Sequence, residues 1–200
     1  YTGNESSGRQ ITHNLGVAPE MIWIKERGGT SNWVVYHKGL NGGTDPHNYV
    51  LTGLNNGYDE AYNTAYFGAA PTSTTFTIGN NQANNENSID HVAYLFASAT
   101  GVSKVGSFSH SNGSSTDVDC GFSSGSKFVL VKDRDQGSDS GDWYVWDSTR
   151  GIVSGNDPYT LFNTTAAEVT NTDYIDTLSS GFQIASGFAT GDYIFYAIAA

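Results

Sequence analysis

The chain has 200 residues, and its 9 Lys and Arg against 20 Asp and Glu give a formal charge of −11. That balance excludes recognition of nucleic acid through its phosphates, which takes clustered cations, and it disfavours adsorption to anionic lipid. No stretch approaches the ~20 apolar residues of a membrane-spanning helix, so no membrane insertion is expected; a lone cysteine, Cys120, allows no intrachain disulfide.

The chain is 38% hydrophobic and 13% aromatic, with 24 Gly, one Met and abundant Asn, Ser and Thr, a composition that serves turns and strand faces rather than helix interiors. The predicted class is therefore all-β. An opening turn at Tyr1 to Asn4 leads to a short strand at Gln10 to Asn14 and a bend at Gly16 to Pro19. The apolar run Met21 to Lys25 and the run Asn32 to Tyr36, joined by a Gly-containing loop, predict a hairpin. Residues 42–66 are polar and poor in core material, with one edge strand expected at Tyr49 to Leu51. Thr74 to Ile78 alternates with period two, as a half-buried strand does, and His91 to Phe96 closes the series.

The same series then returns. Lys25 recurs at Lys132, Trp33 at Trp143 and Phe76 at Phe182, and Val92 to Ala97 lines up with Ile194 to Ala199. The offsets drift from 110 (Trp33 to Trp143) to 102 (Val92 to Ile194), as loop insertions around a fixed set of strands would produce. Second-half strands are predicted at Thr116 to Cys120, Phe128 to Lys132, Asp142 to Trp146, Gly181 to Ala185 and Asp192 to Ile198, with one helical turn after a Thr cap at Thr165 to Val169. A tandem duplication follows: two homologous β-sandwich-like units, 1–104 and 105–200, expected to pack together, with one larger sandwich formed by both halves as the alternative. A dedicated active site is rarely duplicated whole, whereas a binding or building module often is. The absence of a starting Met suggests a piece of a longer protein.

Three sets of residues are candidates for chemistry. Aromatic faces beside polar side chains suit saccharides, and alternation places Trp33 and Trp143 inward and Tyr36 and Trp146 on the opposite parity. Tyr36, His37, Trp146 and Asp147 are thus the candidate ligand-binding residues, against the plainer reading of core aromatics and a polar strand end. Asp133, Asp135 and Asp139, with glycines between two strands, offer the hard oxygen ligands that Ca²⁺ takes, although the spacing is not that of an EF-hand and acidic hairpin loops are commonly only solvated. No other cofactor is expected. No nucleophile elbow or zinc spacing is present, and the acid pairs Asp59 with Glu60 and Asp173 with Asp176 cannot be placed across a cleft from sequence, so no catalytic residue is assigned and the chain is expected not to be an enzyme.

The segment Ile11 to Ile22, the strand Asn32 to His37, and Val92 to Phe96 followed by Gly106-Ser107-Phe108 resemble a duplicated domain of virion and tail-fibre proteins of marine and cyanobacterial tailed bacteriophages. Gly121-Phe122, Phe128 to Lys132, Asp147 to Gly151, Asn163 to Glu168 and Gly181-Phe182 carry the resemblance through the second half. It implies a non-catalytic module on the virion surface, in a tail fibre, another appendage or the capsid exterior, that binds a host-cell surface glycan or protein. The alternatives it leaves are a purely structural spacer or knob and, behind that, a polysaccharide-cleaving tail enzyme. Other virion proteins are the implied partners, and a homo-oligomer, a trimer by analogy, is the implied assembly.

Overall fold

The computed structural model describes residues 1–134 and 141–200, and these form an all-β, sandwich-like structure. The chain divides into two compact units, Tyr1–Ala97 and Ser98–Ala200. The first contains β1 (Arg9–Thr12), β2 (Met21–Glu26), β3 (Val34–His37), β4 (Tyr49–Thr52), β5 (Ala61–Tyr62), β6 (Thr75–Ile78), the four-residue helix α1 (Gln82–Asn85) and β7 (His91–Phe96). Its larger sheet runs β5-β4-β3-β2-β7 and its smaller sheet β1-β6, with every pairing antiparallel. Ile22, Ile24, Val34, Tyr36 and Val50 of the larger sheet meet Phe76 and Ile78 of the smaller, and Phe67 completes this core.

The second unit contains β8 (Ser103–His110), β9 (Thr116–Asp119), β10 (Ser126–Asp133), β11 (Trp143–Asp147), β12 (Thr160–Leu161), β13 (Ile175–Leu178), β14 (Gly181–Ile184) and β15 (Gly191–Ala199). Its sheets run β12-β11-β10-β15-β8 and β13-β14-β9. Val129, Val131, Trp146, Phe195 and Ala197 pack there against Val118, Ile175, Phe182 and Ile184. Each unit thus closes a core of its own between two sheets, as the alternating apolar positions require.

Pairing registers and side-chain contacts place many corresponding residues alike in the two units. Tyr1 stacks on His91 at 5.2 Å and meets Phe76 edge-on at 6.4 Å; Phe108 stacks on Tyr193 at 5.2 Å and meets Phe182 edge-on at 6.1 Å. The Thr2 hydroxyl donates to Asp90 Oδ1 at 2.7 Å, and the Ser109 hydroxyl donates to Asp192 Oδ1 at 2.5 Å. The Arg27 amide donates to the Asp90 carbonyl and the Arg134 amide to the Asp192 carbonyl.

Two local expectations change. The unit boundary lies at Ala97/Ser98 rather than 104/105, because 103–110 is a continuous strand whose serines and Gly106 imitate turn chemistry. Gly106 is required there: a Cβ would lie 2.6 Å from the Phe195 ring. Thr165 to Val169 forms no helix. Val169 and Tyr159 instead exchange backbone hydrogen bonds of 3.0 Å, so pairing at the sheet edge overrides the local cap signal.

Candidate functional site

The strand faces reverse the expected aromatic parity. Trp146 is fully buried in the second core, where it stacks on Tyr144 at 5.5 Å and packs near Tyr159 and Phe188. Its counterpart Tyr36 is 4% exposed in the first core, beside Phe67 at 5.5 Å. Neither ring can present a face to a ligand. Trp143 lies on the other face of β11 and is buried as well, while Trp33 precedes β3 and leans on Tyr94 at 6.2 Å. The parity set by β10 explains this: Val129 and Val131 face the core, and the positions paired with them in β11 are Trp146 and Tyr144.

His37 and Asp147 occupy corresponding strand ends and perform the same local task. His37 is fully buried, and its Nδ1 accepts the Gly39 amide at 2.9 Å. Asp147 Oδ1 accepts the amides of Thr149 and Arg150, both at 3.0 Å, and Oδ2 pairs with the Arg150 guanidinium at 2.6 Å. Burial works against the Asp147 charge, but the Arg150 backbone and side-chain bonds outweigh it and hold the carboxyl below its usual range. Both residues close the turn that leaves their strand. They are turn-closing groups, not a polar rim for a ligand.

For the Ca²⁺ reading, Asp133 is buried at the end of β10, whereas Asp135 and Asp139 lie outside the described residues. Among the described residues no group of three or more His, Cys, Asp or Glu side chains could hold a metal ion. Asp133 corresponds to Glu26, whose Oε1 accepts the Ser31 amide at 2.7 Å; that bond holds the Glu26 carboxyl below its usual range. The acid pairs do not assemble a cleft either. Glu60 Oε2 accepts the Asn41 amide at 2.7 Å, while Asp173 and Asp176 stand near the fully buried Asp157. Burial first, and those two charges second, push the Asp157 carboxyl up to about 6. Cys120 is buried, and burial pushes its thiol up to about 12, which removes it as a nucleophile near neutral pH. A concavity of about 430 Å³ in the second unit is lined by Ser124, Ser126, Ser148, Ile152, Thr177 and Leu178, with no base beside its hydroxyls.

Tyr94 of β7 and Phe162 of the second unit are exposed singly, and a cluster of exposed tyrosine lies in the polar excursion of the first unit. Tyr49 of β4 pairs directly across from Tyr62 of β5, and their rings meet edge to face at 5.5 Å with planes 80° apart. Tyr62 is 68% exposed, and Tyr58, in the loop leading into β5, is 46% exposed. The ledge is held by hydrogen bonds of its own: the Asn63 amide donates to the Asn48 carbonyl at 2.8 Å, the Gly68 amide to the His47 carbonyl at 3.2 Å, and the Asn56 side chain, through Nδ2, to the Thr52 carbonyl at 2.5 Å. Asp45, with a positive φ of 44°, sets the turn into β4. Residues 41–66 contain Asp45, Asp59 and Glu60 and no Lys or Arg.

The second unit has no such ledge. Val34 pairs with Thr52 and the homologous Tyr144 with Leu161, so Tyr49 corresponds to Pro158; the pairing of β4 with β5 likewise makes Thr170 the counterpart of Tyr62. Nothing in the hydrophobic pattern marks these tyrosines, because the segment is polar and aperiodic. The available signal is that Tyr49 and Tyr62, two of the four tyrosines in residues 41–66, have no aromatic at the matched positions of the other repeat.

No curated protein and no solved structure matches the chain. A family model described as a domain of unknown function, DUF7483, matches residues 1–200, and the chain belongs to that family.

Proposed function

We propose that this chain is a non-catalytic virion-surface module, part of a tail fibre or similar appendage of a tailed bacteriophage, that adheres to a neutral cell-surface glycan through the tyrosine ledge of its first unit. The placement on a virion rests on the resemblance of the duplicated motifs. The adhesive role rests on one observation above all: a tyrosine pair, half-buried Tyr49 carrying solvent-facing Tyr62, that the homologous unit lacks. A sugar ring stacks its C–H face on an exposed aromatic, and such a contact is worth ~1 kcal/mol, so useful attachment comes from many copies on one particle. The acidic chain and a ledge without Lys or Arg select against phosphorylated or sialylated glycans.

The test is binding of the soluble protein to host cells and to an array of neutral and anionic glycans. Tyr62→Ala should weaken neutral-glycan binding about fivefold with an unchanged melting temperature, because a side chain this exposed supports little of the fold. Thr170→Ala, at the matched position, should bind as wild type. Equal binding by Tyr62→Ala, or retention on no neutral glycan, would remove the ledge from the proposal; release of reducing sugar would point to the enzyme reading instead.

A further inference from the structure

The tyrosine ledge is tied down by one side chain that is not chemically inert. Asn56 accepts the Tyr58 amide on Oδ1 at 3.1 Å and donates from Nδ2 to the Thr52 carbonyl at 2.5 Å. It thereby joins the end of β4 to the loop that carries Tyr58 and leads into β5. The fit is close: Gly53 has a φ of 129°, and a Cβ there would lie 2.2 Å from Asn56 Nδ2. Glycine at 53 makes room for this carboxamide.

Asn56 is also followed by glycine. The chain has three such steps, Asn41-Gly42, Asn56-Gly57 and Asn112-Gly113. A glycine nitrogen has no adjacent Cβ to shield it, so it is the backbone amide best able to attack the carboxamide carbon of the residue before. The attack needs a side chain folded back along the chain and a nitrogen that is free. At Asn112 the Gly113 amide is held by the Ser186 carbonyl at 2.8 Å. At Asn41 no amide among the described residues donates to Oδ1, and Nδ2 instead reaches the Thr44 carbonyl at 2.7 Å. Asn56 meets both conditions. Capture of Oδ1 by the Tyr58 amide brings Cγ over the Gly57 nitrogen, and the Gly57 amide has no partner among the described residues. The same Tyr58 bond polarises the Cγ carbonyl, which makes its carbon the better electrophile.

We infer that Asn56-Gly57 is a self-modification site, at which the Gly57 nitrogen displaces ammonia from the Asn56 side chain and turns the carboxamide that anchors the ledge into a carboxylate. The Gly57 nitrogen gives its proton to water and bonds to Cγ; the Cγ–Nδ2 bond breaks, and Nδ2 leaves as ammonia. Water then opens the cyclic imide at either carbonyl, to aspartate or to isoaspartate, so the net change is water consumed and ammonia released. An oxygen now faces the Thr52 carbonyl where a donor stood, and two acceptors repel at that distance. Residues 41–66 hold Asp45, Asp59 and Glu60 and no Lys or Arg, so the new charge meets only like charges within its segment. Isoaspartate also adds a methylene to the backbone just before Tyr58. The tie to β4 is lost, and Tyr58 and Tyr62 loosen. Only the consequence, loss of glycan binding as the chain ages, rests on the adhesive reading of the ledge.

The full chain is kept folded at neutral pH while mass mapping of its peptides follows the three Asn-Gly steps. The expected result is a gain of about 1 Da at Asn56, accumulating about fivefold faster than at Asn41 or Asn112, with the three rates converging in denaturant. Gly57→Ala, at a glycine without a left-handed φ, should preserve the ledge and slow the gain at Asn56 about tenfold. Asn56→Asp fixes the converted charge; it should speed hydrogen exchange at the Asn63 amide about fivefold and weaken neutral-glycan binding, whereas fresh Gly57→Ala binds as wild type. Conversion at Asn56 no faster than at the other two steps would overturn the site, and unchanged exchange at Asn63 in Asn56→Asp would overturn the loosening. Mass and exchange are read without glycan, so a fresh chain that binds no neutral glycan would overturn the adhesive reading alone.

Discussion

The first and second units are two versions of one sandwich, and comparing them separates what the fold needs from what it can spare. Aromatic contacts of the opening residue or strand with the closing strand, the hydroxyl-to-aspartate bonds Thr2–Asp90 and Ser109–Asp192, and the turn closures by His37 and Asp147 occur in both. Features found in both units hold the sandwich closed. The features confined to one are the tyrosine ledge and the buried Asp157, and these are where a specialised role can reside without cost to the shared scaffold.

The sharpest way to break this comparison is at the two buried aromatics. Trp146→Ala should cost the second unit ~3–5 kcal/mol, the range for truncating a large buried ring, and Tyr36→Ala should damage the first in the same way. Chemical denaturation read by tryptophan fluorescence checks it; losses below about 1 kcal/mol would return both rings to the list of surface platforms.

Asp157 comes next, and here the units should diverge. Its register counterpart is Asn48, which carries no charge. Because burial raises the Asp157 carboxyl from 3.8 to about 6, the folded chain holds a proton between those values that the unfolded chain has released. This group therefore favours folding most at the acid end of that window, and its contribution falls by up to about 3 kcal/mol as pH rises from about 4 to above 6. Glu26 and Asp147, held below their usual range, act in the opposite direction, so the comparison is Asp157→Asn against wild type across pH. The variant should be the more stable above pH 6 and show no advantage near pH 4; a constant gap would mean that the carboxyl titrates normally.

Smaller effects sharpen the shared features. Thr2→Val and Ser109→Ala each remove one hydrogen bond to a carboxylate and should cost ~1 kcal/mol apiece, with similar values supporting equivalent roles. Thermal melts of the two single variants test this, and a cost at only one position would separate the edges. Smallest of all, Tyr62→Ala should shift folding stability by less than ~0.5 kcal/mol, since the ring is mostly in solvent.

The duplication and the all-β class were legible in the chain because apolar runs of period two survive side by side in both halves. The facing of the tryptophans was not legible. In β11 four of five side chains are bulky and apolar, so period two has no polar partner against which to register, and only pairing with β10 decides the parity. β8 was hidden by the serines and glycine that suit a strand beside Phe195 and equally suit a turn. The ledge was hidden by the reverse: Tyr49 and Tyr62 belong to a short edge pairing within an Asn- and Gly-rich stretch, where no periodicity builds up.

Cys120 has a use that its chemistry alone would not suggest. It is the one thiol in 200 residues and lies inside the second unit, shielded and fully protonated at neutral pH. Cys120 lies buried at the wall of a surface concavity, so a thiol reagent labels it faster as that region opens and the labelling rate follows opening of the second sandwich under native conditions. The first sandwich has no cysteine and stays silent in the same tube, which lets each be timed without cutting the chain.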